Sequence, residues 1–164
     1  MKRYNVINMY IQGSNVSPQV SHGLNNLWKN KNEMSEDARA LFEEWAYNSE
    51  VEINLQGGYH SSLEELYDNI KGIKGIPSAK FNESQEALAG ACTVVTFVAD
   101  KRIVALNNYI RFQRVSSKKL HELKELTYGD LEIDGENTSH SLSAKVTDEE
   151  IFVAYYISRL RTIS

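Results

Sequence analysis

The first stretch whose residue types could do chemistry is Ser17-Pro18-Gln19-Val20-Ser21-His22-Gly23, which follows a strand-like run over residues 4–11. Ser17 is a typical N-cap, and Pro18 suits the first helical position. The free backbone N–H groups at a helix start, together with the positive end of the helix dipole, favour an anion or a polarised carbonyl. The pattern predicts either a ligand site at the end of the first strand or only a well-capped helix.

The composition is typical of a soluble globular protein. The chain has 164 residues, of which 41% are hydrophobic and 24% charged, so it can bury a core within one domain. Because no apolar run reaches the roughly 18 residues that span a bilayer, we expect no membrane partner. The N-terminal residues lack the apolar region of a signal peptide, which favours a cytoplasmic protein. The net charge of −4 argues against a surface built mainly to bind phosphate backbones.

Cysteine and histidine usage excludes two further classes of site. Cys92 is the single cysteine, so an intramolecular disulfide is impossible and a reducing compartment is expected. It lies in the apolar run Ala91–Val95, which predicts a buried core residue rather than a nucleophile. His121 and His140 lack metal-ligand spacing, and we therefore expect no metal ion and no cofactor.

The elements that must position the first motif follow from periodicity and capping signals. Ser35 and Asp100 are predicted N-caps of two helices, and Ser61 with Glu64 or Ser62 with Glu65 offers a capping box for another. Further strands are predicted over residues 51–55, 78–81 and 91–98, with a polar loop at 82–86 and with Trp28 and Trp45 in the core. The order β-α-α-β-α-β-β-α predicts an α/β fold with a mixed four-stranded sheet and helices on its faces.

We expect the last third of the chain to form an extension of this α/β domain. Residues 1–113 are predicted to form the α/β domain, and residues 114–164 a C-terminal extension. Residues 116–126 are predicted to be helical, and residues 128–137 to form a small hairpin or a loop. Thr147 and Glu150 form a capping box for a final helix.

Three segments together resemble the type II peptidyl-tRNA hydrolase family over about residues 4–112. The first is the initial strand with Gln19-Val20-Ser21-His22-Gly23, and the second is the strand at 51–55 with Ser62-Leu63-Glu64-Glu65-Leu66-Tyr67. The third runs from Ile76-Pro77 through a short strand to Leu88-Ala89-Gly90-Ala91-Cys92-Thr93-Val94-Val95 and Asp100-Lys101. The resemblance implies a small, usually dimeric α/β enzyme that cleaves the ester between a peptide and the 3′ end of tRNA.

The family's polar cluster, which would orient water and stabilise an oxyanion, matches this chain only in part. Gln19 and His22 match, whereas the family's lysine falls at Asn15. The family's aspartate falls near Asn82 or Glu83, and of its two threonines only Thr93 remains. Loss of one such electrostatic contact typically costs ~2.7–4 kcal/mol of transition-state stabilisation.

The preferred hypothesis is a non-catalytic binder of a small nucleotide or phosphorylated ligand. Backbone amides and neutral donors at a helix start bind phosphate without net positive charge. Such a protein could sequester a nucleotide signal, as a viral counter-defence protein would. The predicted ligand-binding residues face one another across a cleft: Asn15, Ser17, Gln19, Ser21, His22, Glu83, Ser84, Gln85, Glu86 and Thr93.

Two alternatives stay open. In a peptidyl-tRNA hydrolase, His22 would act as base or orient water, Glu83 would be its partner, and Gln19 would donate to the oxyanion. In a protein–protein interaction module, the aromatic final helix would pack against a partner or a second copy. A homodimer is expected. The basic run of Arg111, Arg114, Lys118 and Lys119 reads as a solvated helix face, or as a contact for RNA phosphates if the chain is the hydrolase.

Overall fold

A mixed sheet of five strands organises the computed structural model, which describes residues 1–131 and 143–163. The strands are β1 (Lys2–Ile7), β2 (Glu52–Gln56), β3 (Ser78–Asn82), β4 (Cys92–Ala99) and β5 (Arg161–Thr162). They lie in the order β3-β4-β1-β2-β5, with β1 parallel to β2 and with antiparallel pairs β3–β4 and β2–β5. The predicted α/β class and mixed sheet are confirmed.

The prediction of four strands is wrong, because β5 was missed. This strand has only two residues, too few to show an alternating pattern. Its pairing defines it: Leu55 lies opposite Thr162 and Gln56 opposite Arg161. An edge strand of this kind is created by the position of the returning chain rather than by its own residues.

Six α-helices are described in these two ranges, and three predicted caps are confirmed. The helices are α1 (Val16–Asn30), α2 (Glu36–Glu44), α3 (His60–Lys71), α4 (Gln85–Leu88), α5 (Lys101–Gln113) and α6 (Asp148–Ser158). The Ser35 hydroxyl accepts a hydrogen bond from Ala38 N, and the Asp100 carboxylate accepts from two backbone N–H groups of α5. Thr147 and Glu150 form the predicted capping box of α6.

The predicted start of the first helix is wrong. Strand β1 ends at Ile7, and a turn follows in which Ile11 N donates to Asn8 O. A 3₁₀ turn then leads directly into α1, so the backbone of Asn15 occupies the N-cap position with no side-chain cap. Ser17 is therefore the second helical residue. Pro18 still lies in the first turn, where its missing N–H costs nothing.

The predicted capping boxes of α3 are also wrong. The N-cap of α3 is Tyr59, whose side chain makes no cap bond, and the helix already begins at His60. The preceding turn sets this start, because Gly57 N donates to Ile7 O at 2.7 Å. A Cβ atom on Gly57 would lie 2.7 Å from Val6 Cγ1, so only glycine permits the close approach.

Two smaller expectations also need correction, the loop at 82–86 and the burial of Trp28. The polar loop predicted at 82–86 contains the start of α4, which Ser84 caps. The helix predicted over residues 116–126 is present as a 3₁₀ helix, Ser117–Glu125. Trp45 is buried as predicted, but Trp28 is 40% exposed although it makes a T-shaped contact with buried Phe42. Of the predicted hairpin or loop at 128–137, residues 128–131 form a turn, and the remainder lies outside the described residues, as does His140.

The described chain divides into two compact units. The first comprises Met1–Val98 with the chain from Leu160 onward, and the second comprises Ala99–Arg159. In the first unit, α1 packs its buried residues against the sheet, with Val16 and Val20 in one apolar cluster and Leu27 in another. In the second unit, α5 packs along α6. The predicted domain boundary at residue 113 stays a prediction, and no described helix has the length and apolarity needed to cross a bilayer.

Candidate ligand-binding site

Strands β1 and β2 each carry a charged residue and an asparagine two positions apart. Arg3 and Asn5 lie in β1, and Glu52 and Asn54 lie in β2. The parallel register places Arg3 opposite Glu52 and Asn5 opposite Asn54. Because alternate residues of a strand share a face, all four side chains lie on one face of the sheet. Two of these polar residues are almost completely buried, Arg3 at 1% and Asn5 at 0% exposure.

Hydrogen bonds join these side chains into one network. The Arg3 guanidinium donates to the Glu52 carboxylate through Nη2 and to Asn5 Oδ1, at 3.0 Å, through Nη1. Asn5 Nδ2 donates to Asn54 Oδ1 at 2.8 Å, and Thr96 Oγ1 donates to Asn5 Oδ1 at 2.8 Å. Both atoms of the Asn5 amide are therefore engaged, which fixes its orientation at the centre of the network.

The network holds a buried cation beside a partly exposed anion. Burial lowers the pKa of the Arg3 guanidinium, and the neighbouring Glu52 carboxylate partly offsets this effect. Arginine nevertheless stays protonated in proteins, so the charge is retained. The Glu52 side chain is 40% exposed, against 2% for Arg3, so the carboxylate is the member of the pair that a ligand can reach.

A cavity of about 420 Å³ opens beside this network, at the first half of α1. We call it the Arg3 cavity. Its volume lies within the range of about 300–1,000 Å³ that is typical of small-molecule sites. Part of its wall is apolar and comes from α1, and another part is polar. Its lining comprises Arg3, Gly13, Val16, Ser17, Val20, Ser21, Leu24, Glu52, Asn54 and Ile163. Of the residues predicted from sequence, Ser17 and Ser21 lie here.

Three other predicted residues meet on the opposite flank of α1, next to β3 and β4. Gln19 Nε2 donates to Glu83 Oε1 at 3.0 Å, and Thr93 Oγ1 donates to Gln19 Oε1 at 2.6 Å. A β-bulge makes this possible: Phe81 pairs with Val94 and Asn82 with Cys92, so Thr93 is an extra residue in β4. The bulge turns the Thr93 hydroxyl towards the helix.

The remaining predicted residues lie around this second cluster or on the surface. The His22 ring stacks on Phe81 with centroids 4.2 Å apart, and among the described residues it forms no hydrogen bond with Glu83. The Ser84 hydroxyl accepts from Ala87 N at 3.1 Å, so it caps α4. Asn15, Gln85 and Glu86 are exposed. The residues predicted to share one cleft are thus distributed over the two flanks of α1, with Ser17 and Ser21 on one side and Gln19, Glu83 and Thr93 on the other.

Arg3, Asn5, Glu52 and Asn54 were not among the site residues predicted from the sequence. A usable signal was present, because Arg3-Tyr4-Asn5 and Glu52-Ile53-Asn54 repeat the same pattern of a charged residue, an apolar residue and an asparagine. Polar residues at alternate positions of two strands with apolar neighbours indicate a shared polar face. The family's lysine falls at Asn15, so no cation was expected from that position, whereas Arg3 in β1 places one beside the Arg3 cavity.

The described residues contain neither a metal-binding cluster nor a reactive thiol. Within residues 1–131 and 143–163, no group of three or more histidine, cysteine, aspartate or glutamate side chains could hold a metal ion. Cys92 is buried, as predicted, and burial raises the pKa of its thiol to about 11. A thiol of this kind is protonated near neutral pH and is a poor nucleophile.

Comparison with known proteins adds no family: no protein-family model matches the chain, and no curated protein matches it. The resemblance to type II peptidyl-tRNA hydrolases therefore stays a prediction. The Arg3 cavity and its hydrogen-bond network are the observations from which a function can be argued.

Proposed function

We propose that this chain binds a small nucleotide or a related phosphorylated compound in the Arg3 cavity and does not transform it. The observation that carries the proposal is the network around buried Arg3 and Asn5, whose members Arg3, Glu52 and Asn54 line a cavity of ligand size. Polar groups that are fixed by buried partners lose little freedom when a ligand arrives, so they favour binding.

The two ends of the cavity suit the two ends of a nucleotide. The exposed part of the Glu52 carboxylate can accept hydrogen bonds from the N–H groups at the edge of a base, while Val20 and Leu24 offer apolar contact to its face. Gly13 and Ser17 line the cavity where the 3₁₀ turn meets α1, so the Ser17 hydroxyl and the positive end of the helix dipole favour a phosphate there. Because Arg3 balances the charge of Glu52, an anionic ligand meets no net repulsion from this pair.

Isothermal titration calorimetry of the full chain with a panel of nucleoside mono-, di- and triphosphates and cyclic nucleotides tests this proposal. The decisive variant is Ser21→Trp, which fills the cavity from an exposed position of α1. Asn25→Trp is the matched control, because Asn25 is also exposed on α1 but lies outside the cavity lining. We expect saturable binding that Ser21→Trp weakens at least tenfold and Asn25→Trp leaves within twofold.

Absence of binding across the panel by folded protein would refute the proposal, as would equal weakening by the two tryptophan variants. The non-catalytic part has its own test. Mass spectrometry after prolonged incubation should recover the bound nucleotide intact, and conversion of the nucleotide would contradict that part alone.

One observation favours the hydrolase as a second candidate: Gln19, Glu83 and Thr93 are joined by hydrogen bonds beside His22. Two features weigh against it. Gln19 is buried and one of its two Nε2 N–H groups already donates to Glu83 Oε1, which leaves a single N–H for an oxyanion. His22 lacks a hydrogen bond to Glu83 among the described residues. Turnover of peptidyl-tRNA that His22→Ala abolishes would support the hydrolase; unchanged peptidyl-tRNA would exclude it.

A further inference from the structure

Three arginines converge on one cavity in the second unit. Arg111 and Arg114 come from the C-terminal end of α5, and Arg159 follows α6. Together with Tyr155 and Ser158 they line a cavity of about 330 Å³. We call it the arginine cavity. It lies within the segment Ala99–Arg159 and shares no residue with the Arg3 cavity.

These three guanidinium groups have no acidic partner among residues 1–131 and 143–163. Some other cations of the chain do pair with carboxylates, in a protein whose net charge is −4. The paired residues are Arg3, Lys31, Lys71, Lys80, Lys124 and Lys145. An unpaired cluster of arginines in an acidic chain is a local positive field that a small anion can occupy.

Helix capping accounts for only part of this charge. A helix C-terminus carries roughly half a negative charge, so two such ends would balance about one arginine. Three guanidinium groups therefore leave a surplus of about two positive charges at the cavity. This surplus indicates a ligand with more than one negative charge rather than a simple carboxylate.

Arg114 occupies a backbone position that arginine disfavours. Its φ is +52°, at the end of α5 where Val115 N donates to Ile110 O at 3.0 Å and Arg114 N donates to Arg111 O at 3.3 Å. These two bonds define a Schellman motif, whose left-handed residue is usually glycine. Here that position carries a third positive charge at the cavity.

The arginine on the other side is held in place by an aromatic ring. The Arg159 guanidinium lies over the Tyr155 ring, 5.5 Å from its centroid. A guanidinium that is stacked in this way keeps its planar N–H edge available for hydrogen bonds to an anion. Arginine forks of this kind bind phosphoryl oxygens in pairs.

We propose that the arginine cavity binds a polyphosphate group. The surplus charge, the volume and the fork geometry of arginine all fit such a group, which could belong to free inorganic polyphosphate or to the tail of a nucleoside triphosphate. This site is independent of the proposed function, because its residues and those of the Arg3 cavity do not overlap.

Calorimetric titration of the full chain with tripolyphosphate and with ATP tests the inference. Arg111→Gln/Arg159→Gln removes two charges from the cavity, whereas Lys118→Gln/Lys119→Gln removes two from the neighbouring exposed segment outside it. We expect saturable tripolyphosphate binding, at least a tenfold loss in the arginine variant and less than a twofold change in the lysine variant. If ATP and tripolyphosphate bind with equal affinity, the cavity recognises the polyphosphate group alone. If ATP binds more tightly, the cavity recognises a nucleoside triphosphate.

Arg114→Gly is a variant whose weaker binding could not be attributed to unfolding. Glycine suits a positive φ, so this variant should melt at a higher temperature than the wild type and still bind tripolyphosphate more weakly. Failure of tripolyphosphate to saturate the wild type, equal losses in the arginine and lysine variants, or loss of binding in Ser21→Trp would each overturn the inference. A further result would also overturn it: tripolyphosphate does not bind, whereas a single-stranded RNA 12-mer binds and the arginine variant weakens that RNA binding.

Discussion

Arg3 and Glu52 lie directly opposite each other on two parallel strands, and their side chains form an ion pair with one buried and one partly exposed partner. Removing the exposed partner leaves a buried guanidinium without its charge partner, which is costlier than losing a surface pair. The register therefore makes Glu52 important for stability as well as for the proposed ligand.

Glu52→Gln should lower the free energy of unfolding by about 2 kcal/mol, because glutamine can still accept a hydrogen bond from Arg3 but no longer balances the charge of the buried guanidinium. Glu43→Gln is the control, because Glu43 pairs with Lys31 at 2.7 Å on the surface of the helices. The control should lose less than about 1 kcal/mol. Urea denaturation followed by circular dichroism measures both values, and equal losses would contradict the special role of the Arg3 pair.

Thr93→Val should destabilise the chain by about 1–2 kcal/mol, because it removes the hydroxyl that donates to buried Gln19 Oε1 and leaves that oxygen without its partner. Valine keeps the shape and the strand preference of threonine. Thr162→Val, at an exposed threonine of β5, should change stability by less than about 0.5 kcal/mol. Equal stabilities of the two variants would show that the bulge does not depend on this bond.

Arg114→Gly should raise the free energy of unfolding by about 1 kcal/mol, since a left-handed conformation costs an L-residue roughly 1–2 kcal/mol and glycine almost nothing. Arg111→Gly is the matched comparison, because it removes the same charge from a position inside α5. There glycine should cost about 1 kcal/mol. Thermal unfolding should show that Arg114→Gly raises and Arg111→Gly lowers the stability. If both variants change the stability in the same direction, the lost charge rather than the backbone conformation causes the effect.

Asp100→Asn should change the pH dependence of stability. Burial, with a smaller effect of Glu150, raises the pKa of the Asp100 carboxyl although its cap bonds act in the other direction. The folded state thus binds this proton more tightly, so the contribution of Asp100 to stability falls as the pH rises above its unfolded pKa of about 3.9. Asparagine caps a helix without ionising.

The expected measurement is a series of melting temperatures between pH 3 and pH 7. The difference between Asp100→Asn and the wild type should become more favourable to the variant with rising pH and level off once Asp100 is ionised in the folded state. A difference that is constant with pH would show that Asp100 ionises with no penalty.

Cys92 should not react with a disulfide reagent in the native protein at pH 8. Its thiol is buried, and burial raises its pKa to about 11, so access and thiolate population are both low. One thiol per chain should appear in denaturant, because the chain has a single cysteine. Rapid reaction of folded protein would show that the start of β4 opens.

Local patterns in the sequence were sufficient for the α/β class, for the order of the main helices and strands, and for the caps at Ser35, Asp100 and Thr147. These features depend on residues within one or two turns of each other, so short stretches contain the necessary information. The start of α3 and the strand β5 were not predicted correctly from these local patterns. Each is decided by a contact with distant residues: the glycine turn against Val6 in one case, and pairing with β2 in the other.

The composition of the candidate site was decided by tertiary structure. The sequence indicated that the start of α1 carries several polar side chains that could bind a ligand. Because successive residues of a helix point in different directions, Ser17 and Ser21 lie on one flank of α1 and Gln19 on the other. Strand register, which local pattern leaves open, brings Arg3 to Glu52 across 49 positions of sequence. A helix start can therefore be found from neighbouring residues alone, whereas a cavity exists only where separate segments meet, because its wall is made by packing and not by any one segment.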